Sequence, residues 1–169
     1  MKITRILGLS LAIISLNACV TNPITGRSSI QFANNSEIST MAAQEYKTTL
    51  SKSKVITGTA DANRVKNIGN RIKNAAEKYY TSIGRSADLE SYSWEFNLIN
   101  DTQLNAWCMP GGKVAVYTGI LPVTKDDEGL AVVMGHEVSH ALAGHGNERI
   151  SQATIAQYGG AIVGGSLGN

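Results

Sequence analysis

The chain has 169 residues, of which 43% are hydrophobic and 17% charged, a balance typical of one globular domain and unlike that of a disordered chain. Its formal net charge is +2, and two of its 15 basic residues, Lys2 and Arg5, lie in a leader-like N-terminus; without them 13 basic residues balance 13 acidic ones. A chain without excess positive charge or a basic cluster is not expected to bind nucleic acid.

Residues 1–18 are predicted to be a secretory signal peptide. A basic start, MKITR, precedes an apolar run from Ile6 to Leu16, which is too short to span a membrane comfortably. The tetrad LNAC resembles the lipobox of bacterial lipoproteins, so we expect lipidation of Cys19 and a tether over residues 19–34. Because Val20 follows the cysteine where a retention signal would have Asp, the resemblance implies sorting to the outer membrane. A plain cleaved signal with an incidental cysteine is the alternative.

Two helices are predicted next. The first is expected to begin near Asn35 or Ser36 and to end near Leu50, and the second covers residues 61–80 with Asp61 as its N-cap. The apolar residues of the second helix recur at helical spacing: Val65, Ile68, Ile72, Ala75, Ala76 and Tyr79. The second helix therefore has one apolar face to bury, and its charged face is assigned no function.

The hydrophobic period then changes to that of strands. Trp94, Phe96 and Leu98 alternate with polar residues, as in a half-buried strand. The turn PGG at 110–112 is expected to join short strands at 105–109 and 113–118, giving a small antiparallel sheet. Cys108 is interpreted as a small buried hydrophobic residue and not as a reactive thiol.

A further helix is predicted to carry all three histidines of the chain, in the stretch GHEVSHALAGH. Asp126 or Asp127 is expected to cap its start, and Gly144 and Gly146 to end it. Asn147 is expected to cap a last helix. The apolar residues of the histidine helix predict that it is buried; they are Val133, Met134, Val138, Ala141 and Leu142.

The histidine spacing indicates a metal site. His136 and His140 are four residues apart, so both imidazoles can face one ion. Glu137 is offset to the flank, where a carboxylate can take a proton from the attacking water as general base. This is the H-E-x-x-H pattern of zinc peptidases. The alternative is a core helix with hydrogen-bonded histidines.

A third ligand is not evident. A catalytic zinc normally has three protein ligands and a water. His145 follows His136 by nine residues, which places it on the opposite side of a continuous helix. Glu148 could reach the ion only if the chain reversed sharply. Neither spacing fits a zinc arrangement, and whether either residue acts at the metal stays open.

Several segments together resemble a known family. NPITGRSSIQF, NAWCMPGGKVAVYTGIL and DEGLAVVMGHEVSHALAGHGNERIS are similar to the HtpX-like zinc metallopeptidases, peptidase family 48 of the zincin clan, and especially to their bacterial periplasmic lipoprotein branch. The resemblance implies an α+β, helix-rich, zincin-like domain over residues 35–169, with one Zn²⁺ per chain. It also implies His136 and His140 as ligands and Glu137 as the catalytic base.

The same resemblance bears on the third ligand. In the family this ligand is a Glu on a later helix, whereas residues 149–169 contain neither Asp nor Glu. We therefore expect the domain to be incomplete at its C-terminus, with the third ligand beyond Asn169. A truncated, inactive relative is the rival explanation.

The resemblance finally implies a substrate cleft and a setting. The strand after the PGG turn is expected to be a free edge that pairs with an extended peptide through Lys113, Val114, Ala115 and Val116, with Asn105 as a further contact. The implied substrates are misfolded or misassembled envelope proteins on the periplasmic side of the outer membrane, with its assembly machinery as a partner. The alternative is a non-catalytic lipoprotein that binds unfolded chains or assembly factors. A structural zinc site would need four ligands, for which Cys and His are too few.

Overall fold

The structure is a computed structural model that describes residues 19–22, 26, 28–30, 34–153 and 156. The predicted signal peptide therefore lies outside the described residues. The chain divides into two compact units, a core unit (residues 35–142) and a terminal unit (residues 1–34 and 143–169). No helix among the described residues combines the length and the hydrophobicity needed to span a membrane.

The terminal unit contains a short antiparallel strand pair and a helical segment. Strands β1 (Cys19–Thr21) and β2 (Ser28–Ile30) pair with Cys19 opposite Ile30. After a turn in which Gly144 adopts φ 71°, residues 145–153 are helical. Asn147 therefore lies inside this segment, and the prediction that it caps the last helix is wrong. Lipidation of Cys19 and the tether stay predictions.

The core unit is an α+β domain rich in helix, as predicted. In chain order its elements are α1 (Asn35–Lys52), β3 (Val55–Ile56), α2 (Ala60–Ser82), a 3-10 helix (Ser86–Leu89), β4 (Glu95–Ile99), β5 (Ala106–Met109), β6 (Lys113–Tyr117), a second 3-10 helix (Thr118–Ile120), α3 (Leu121–Thr124) and α4 (Asp127–Leu142).

Helix α2 differs from the prediction in its N-cap residue and in which tyrosine is buried. Its N-cap is Thr59, whose hydroxyl accepts a hydrogen bond from the Ala62 amide at 3.2 Å, and not Asp61. Near its C-terminal end Tyr80 is buried while Tyr79 is exposed. The cap is a local choice between neighbouring residues, whereas the burial of Tyr80 reflects its contact with Leu142 of α4, which the helical period of α2 does not contain.

The sheet is mixed, and this corrects the predicted antiparallel sheet. The strand order is β3-β4-β6-β5, with β4 and β6 parallel and the two outer pairs antiparallel. Strand β6 is therefore central, and the prediction that residues 113–117 form a free edge is wrong. The nearly uninterrupted burial of β6, from Lys113 to Val116, is what a strand covered on both faces requires.

Helices cover both faces of this sheet. On one face β4 and β6 bury Phe96, Leu98, Val114 and Val116 against residues of α2 and α4. On the other face Tyr46 of α1 packs with Ile99 and Ala115. Helix α2 approaches the sheet so closely that a Cβ atom on Gly69 would lie 2.3 Å from the Phe96 ring. The sheet thus packs directly against α4.

Candidate active site

Side chains fix the start of helix α4. The Asp126 carboxylate accepts a hydrogen bond from the Gly129 amide at 2.8 Å, so Asp126 is the N-cap, as one of the two predicted alternatives had it. At the first helical position, Asp127 pairs with Arg64 of α2, with Nε and Oδ1 2.5 Å apart. The helix that carries the histidines is thereby anchored to α2.

Helix α4 has one buried face and one outward face. Its buried residues recur every three or four positions: Leu130, Met134, Val138 and Ala141. His136 is exposed and His140 half-buried. Two residues of helix correspond to about 200° of rotation, so His136 points about 160° away from Val138. The prediction of a buried helix holds for the apolar stripe and is wrong for the histidine face.

The two imidazoles converge. The Nε2 atoms of His136 and His140 are 3.0 Å apart, and the ring centroids are 4.5 Å apart at an interplanar angle of 85°. Two imidazoles that bind one tetrahedral zinc ion at 2.0–2.1 Å have nitrogens about 3.3 Å apart. The pair therefore fits a shared metal ion with only a small adjustment.

Glu137 lies near strand β5. The pKa of the Cys108 thiol on β5 is raised to about 12, mainly by burial, and the nearby Glu137 carboxylate adds to the rise. Cys108 forms no disulfide and is mostly protonated at neutral pH, which supports its interpretation as a small hydrophobic residue. The candidate base thus lies near an edge strand of the sheet.

The residues predicted to contact substrate divide into two groups. Lys113 is 4% exposed; its ammonium donates to the Glu95 carboxylate at 2.5 Å and to the Ser93 carbonyl. The three residues after it are buried, and their strand is paired on both sides. None of these four can offer a free edge. Asn105 is exposed and lies directly before β5, so its role stays a prediction.

Strand β5 is the edge that lies beside the histidine helix. The Asn105 carbonyl accepts from the Tyr117 amide at 3.0 Å, so by alternation the backbone groups of Ala106 and Cys108 point away from β6. No strand pairs with this outer side within the part of the chain that the structure describes. The sequence signal for this arrangement was the continuous apolar run of β6, which is typical of a central strand.

The structure does not bring a third ligand to the pair among its described residues, which contain no group of three His, Cys, Asp or Glu side chains able to hold a metal. His145 and Glu148 belong to the terminal unit. The Glu148 carboxylate accepts a hydrogen bond from the Gln152 amide group at 3.1 Å, one turn along its own helical segment. Whether either residue acts at the metal stays open.

Comparison with known proteins finds metallopeptidases. The sequence model of peptidase family M48 matches residues 63–168. The mitochondrial metalloendopeptidase OMA1 of Saccharomyces cerevisiae is 37% identical over 102 residues, which cover 59% of this chain and 29% of that protein. Metalloprotease YcaL of Escherichia coli is 28% identical over 82 residues, covering 46% and 32%.

A third relative is a putative beta-barrel assembly-enhancing protease of Vibrio cholerae, 30% identical over 96 residues that cover 51% of this chain and 20% of that protein. The chain therefore spans about a third or less of the length of these three relatives.

Proposed function

The chain belongs to peptidase family M48, and we propose that it acts as a zinc-dependent metalloendopeptidase with His136 and His140 as metal ligands and Glu137 as general base. The observation that carries the proposal is the 3.0 Å separation of the two Nε2 atoms on neighbouring turns of α4. A structural pair of core histidines would not need to face outward, as this pair does.

The proposed chemistry divides between the metal and the protein. Zinc, when bound, supplies Lewis acidity and lowers the pKa of a water molecule to about 7. Glu137 would take the proton of the attacking water and pass it to the leaving amine, a transfer that contributes about 10²–10⁴ in rate for a positioned carboxylate. Its position near β5 supports this role, because a peptide bound along β5 would present its carbonyls beside it.

We propose that β5, in place of β6, holds the substrate. The outward backbone groups of Ala106 and Cys108 could pair with an extended peptide, and main-chain pairing selects for chain conformation more than for sequence. An enzyme that binds in this way would favour unfolded segments. Exposed Asn105, at the start of the edge, is a candidate for an additional polar contact.

For the setting we propose the bacterial cell envelope, with misfolded or misassembled envelope proteins as substrates and the outer-membrane assembly machinery as a partner. The predicted signal peptide, with lipidation at Cys19, supports a lipid-anchored periplasmic protein. The Vibrio cholerae relative, named for beta-barrel assembly, supports the substrate class.

The test compares two carboxylates of one helix. In the full chain, Glu137→Gln should retain zinc and lose cleavage of an unfolded, reduced protein by about 10²–10⁴ in rate. The matched control is Glu128→Gln, because Glu128 is exposed on the first turn of α4, distant from the histidine pair. Cleavage by the Glu137→Gln variant at the wild-type rate would refute the proposed base.

A second candidate is a non-catalytic protein that binds unfolded chains through the same edge. It is favoured by the finding that no three-ligand group lies among the described residues. Zinc that survives dialysis together with cleavage supports the enzyme. Binding of an unfolded protein without retained zinc supports the second candidate.

A further inference from the structure

Two tyrosine hydroxyls donate to the last carbonyls of helix α4. The Tyr92 hydroxyl lies 3.2 Å from the Ala141 carbonyl oxygen, and the Tyr80 hydroxyl lies 3.4 Å from that of Leu142. Tyr80 is near the end of α2, whereas Tyr92 lies between the first 3-10 helix and β4. Two separate elements thus converge on the residues that directly follow His140.

These carbonyls belong to the weakest turn of the helix. The ends of an α-helix fray more readily than its middle, and hydrogen bonds from other elements to the end carbonyls oppose this fraying. His140 lies in this last turn, while His136 lies one turn earlier. Opening of the last turn would therefore displace one imidazole relative to the other and disturb the 3.0 Å approach of their Nε2 atoms.

Building on the proposed zinc function, we propose that Tyr80 and Tyr92 are positioning residues for the metal. Their hydroxyls keep the last turn of α4 helical, and this holds His140 at the distance from His136 that one shared ion requires. Neither tyrosine is proposed to touch the metal or the substrate.

The surroundings of the two phenols fit this role. Tyr80 is 2% exposed, and the Tyr92 ring packs on Trp94 with centroids 5.1 Å apart. Burial raises the pKa of both hydroxyls, so they stay protonated and able to donate. Packing fixes the rings, so the direction of each hydroxyl is set by the core and not by solvent.

Helix α2 holds α4 at both ends. Arg64 pairs with Asp127 at the start of α4, and Tyr80 binds Leu142 at its end. The two helices therefore run in parallel, and these contacts oppose sliding of α4 along α2. The Tyr92 bond adds a third point at the end that carries His140.

The test removes the hydroxyls and keeps the rings. Tyr80→Phe, Tyr92→Phe and the double variant are made in the full chain, with Tyr46→Phe as the matched control. Tyr46 is also a buried phenol that donates to a backbone carbonyl, at 2.6 Å, but its acceptor is Val114 in the sheet. The control thus loses a comparable bond distant from the end of α4.

Zinc affinity, measured by competition with a chelator, and the visible absorption spectrum of the Co²⁺-loaded protein are the readouts. The double variant should bind zinc about tenfold more weakly, the low end of what supporting hydrogen bonds at metal sites contribute, and its cobalt bands should shift. Tyr46→Phe should lose stability while its zinc affinity stays within about twofold of wild type and its cobalt bands do not shift, since its hydroxyl supports no metal ligand.

Unchanged zinc affinity and an unchanged cobalt spectrum in the double variant would overturn the positioning role. An equal loss of affinity in Tyr46→Phe would also overturn it, because the effect would then be one of general stability. If the double variant does not fold, Tyr92→Phe alone is judged by the same criteria. If the His136→Ala variant instead bound zinc as tightly as the wild type, the proposed zinc site itself would be refuted.

Discussion

The two faces of helix α4 differ in what they contact. The inward face is an apolar stripe in which Met134 is 0% exposed, and it joins the helix to the sheet and to α2. On the outward face Val132 is 72% exposed and His136 is accessible one turn later. Because packing constrains only one face, a single helix can stabilise the fold with that face and present the histidine pair on the other. Substitutions should therefore separate stability from chemistry.

The largest expected effect is on the outward face. His136→Ala should abolish measurable cleavage of an unfolded protein, because one of the two proposed ligands is lost. An exposed substitution of this kind should change the unfolding free energy of the metal-free protein by only about 0.5 kcal/mol. A protease assay checks the first statement, and chemical denaturation in the presence of a chelator checks the second. Cleavage at the wild-type rate, or strong destabilisation of the metal-free variant, would contradict the claim that the outward face serves chemistry and the inward face stability.

On the inward face, Met134→Ala should lower the unfolding free energy by about 2–5 kcal/mol, because it leaves a cavity in a fully buried site. The control is Val132→Ala on the outward face, which should change it by no more than about 0.5 kcal/mol. Urea denaturation of the metal-free protein measures both. A Val132→Ala variant as unstable as Met134→Ala would show that the outward face is also packed.

A smaller effect is expected at Lys113, which extends the comparison to the sheet. Lys113→Ala should cost about 1–3 kcal/mol of stability, because the Ser93 carbonyl and the Glu95 carboxylate lose their donor. Since the ammonium is buried, kcat/KM measured well below the melting temperature should stay within about threefold of wild type. A raised KM with unchanged stability would restore the substrate role first predicted for this residue.

The smallest effect is expected at Cys108, which faces α4 from β5. With its pKa raised to about 12, the folded thiol should react with iodoacetamide at pH 8 at least about tenfold more slowly than the same cysteine in urea. Cys108→Ala should leave cleavage within about threefold of wild type, since the thiol is not part of the proposed chemistry. Rapid alkylation of Cys108 in the folded chain would show that the thiol is ionised and reactive.

The parts of this account that the sequence predicted are local. The spacing of His136 and His140, the offset of Glu137 and the Asp126 cap all follow from the geometry of one helix. The hairpin around the PGG turn was also predicted from a local pattern, and the bounds of its strands agree with the prediction to within one residue.

The parts that the sequence did not predict depend on distant pairing. The parallel pairing of β6 with β4 decides which strand of the hairpin forms the edge of the sheet. The paired residues of β4 and β6 are 18 positions apart in sequence. The exposure of the histidine face depends on which side of α4 meets the core. The bonds from Tyr80 and Tyr92 to the end of α4 span 62 and 49 residues, and no local pattern indicates them.

The central claim is that the outward histidine pair binds zinc, and metal content tests it most directly. The full chain and its His136→Ala/His140→Ala variant are dialysed together in zinc-free buffer after loading, and bound zinc is measured by mass spectrometry. We predict one zinc per wild-type chain and none in the double variant. Equal zinc in both proteins, or none in the wild type, would contradict the account.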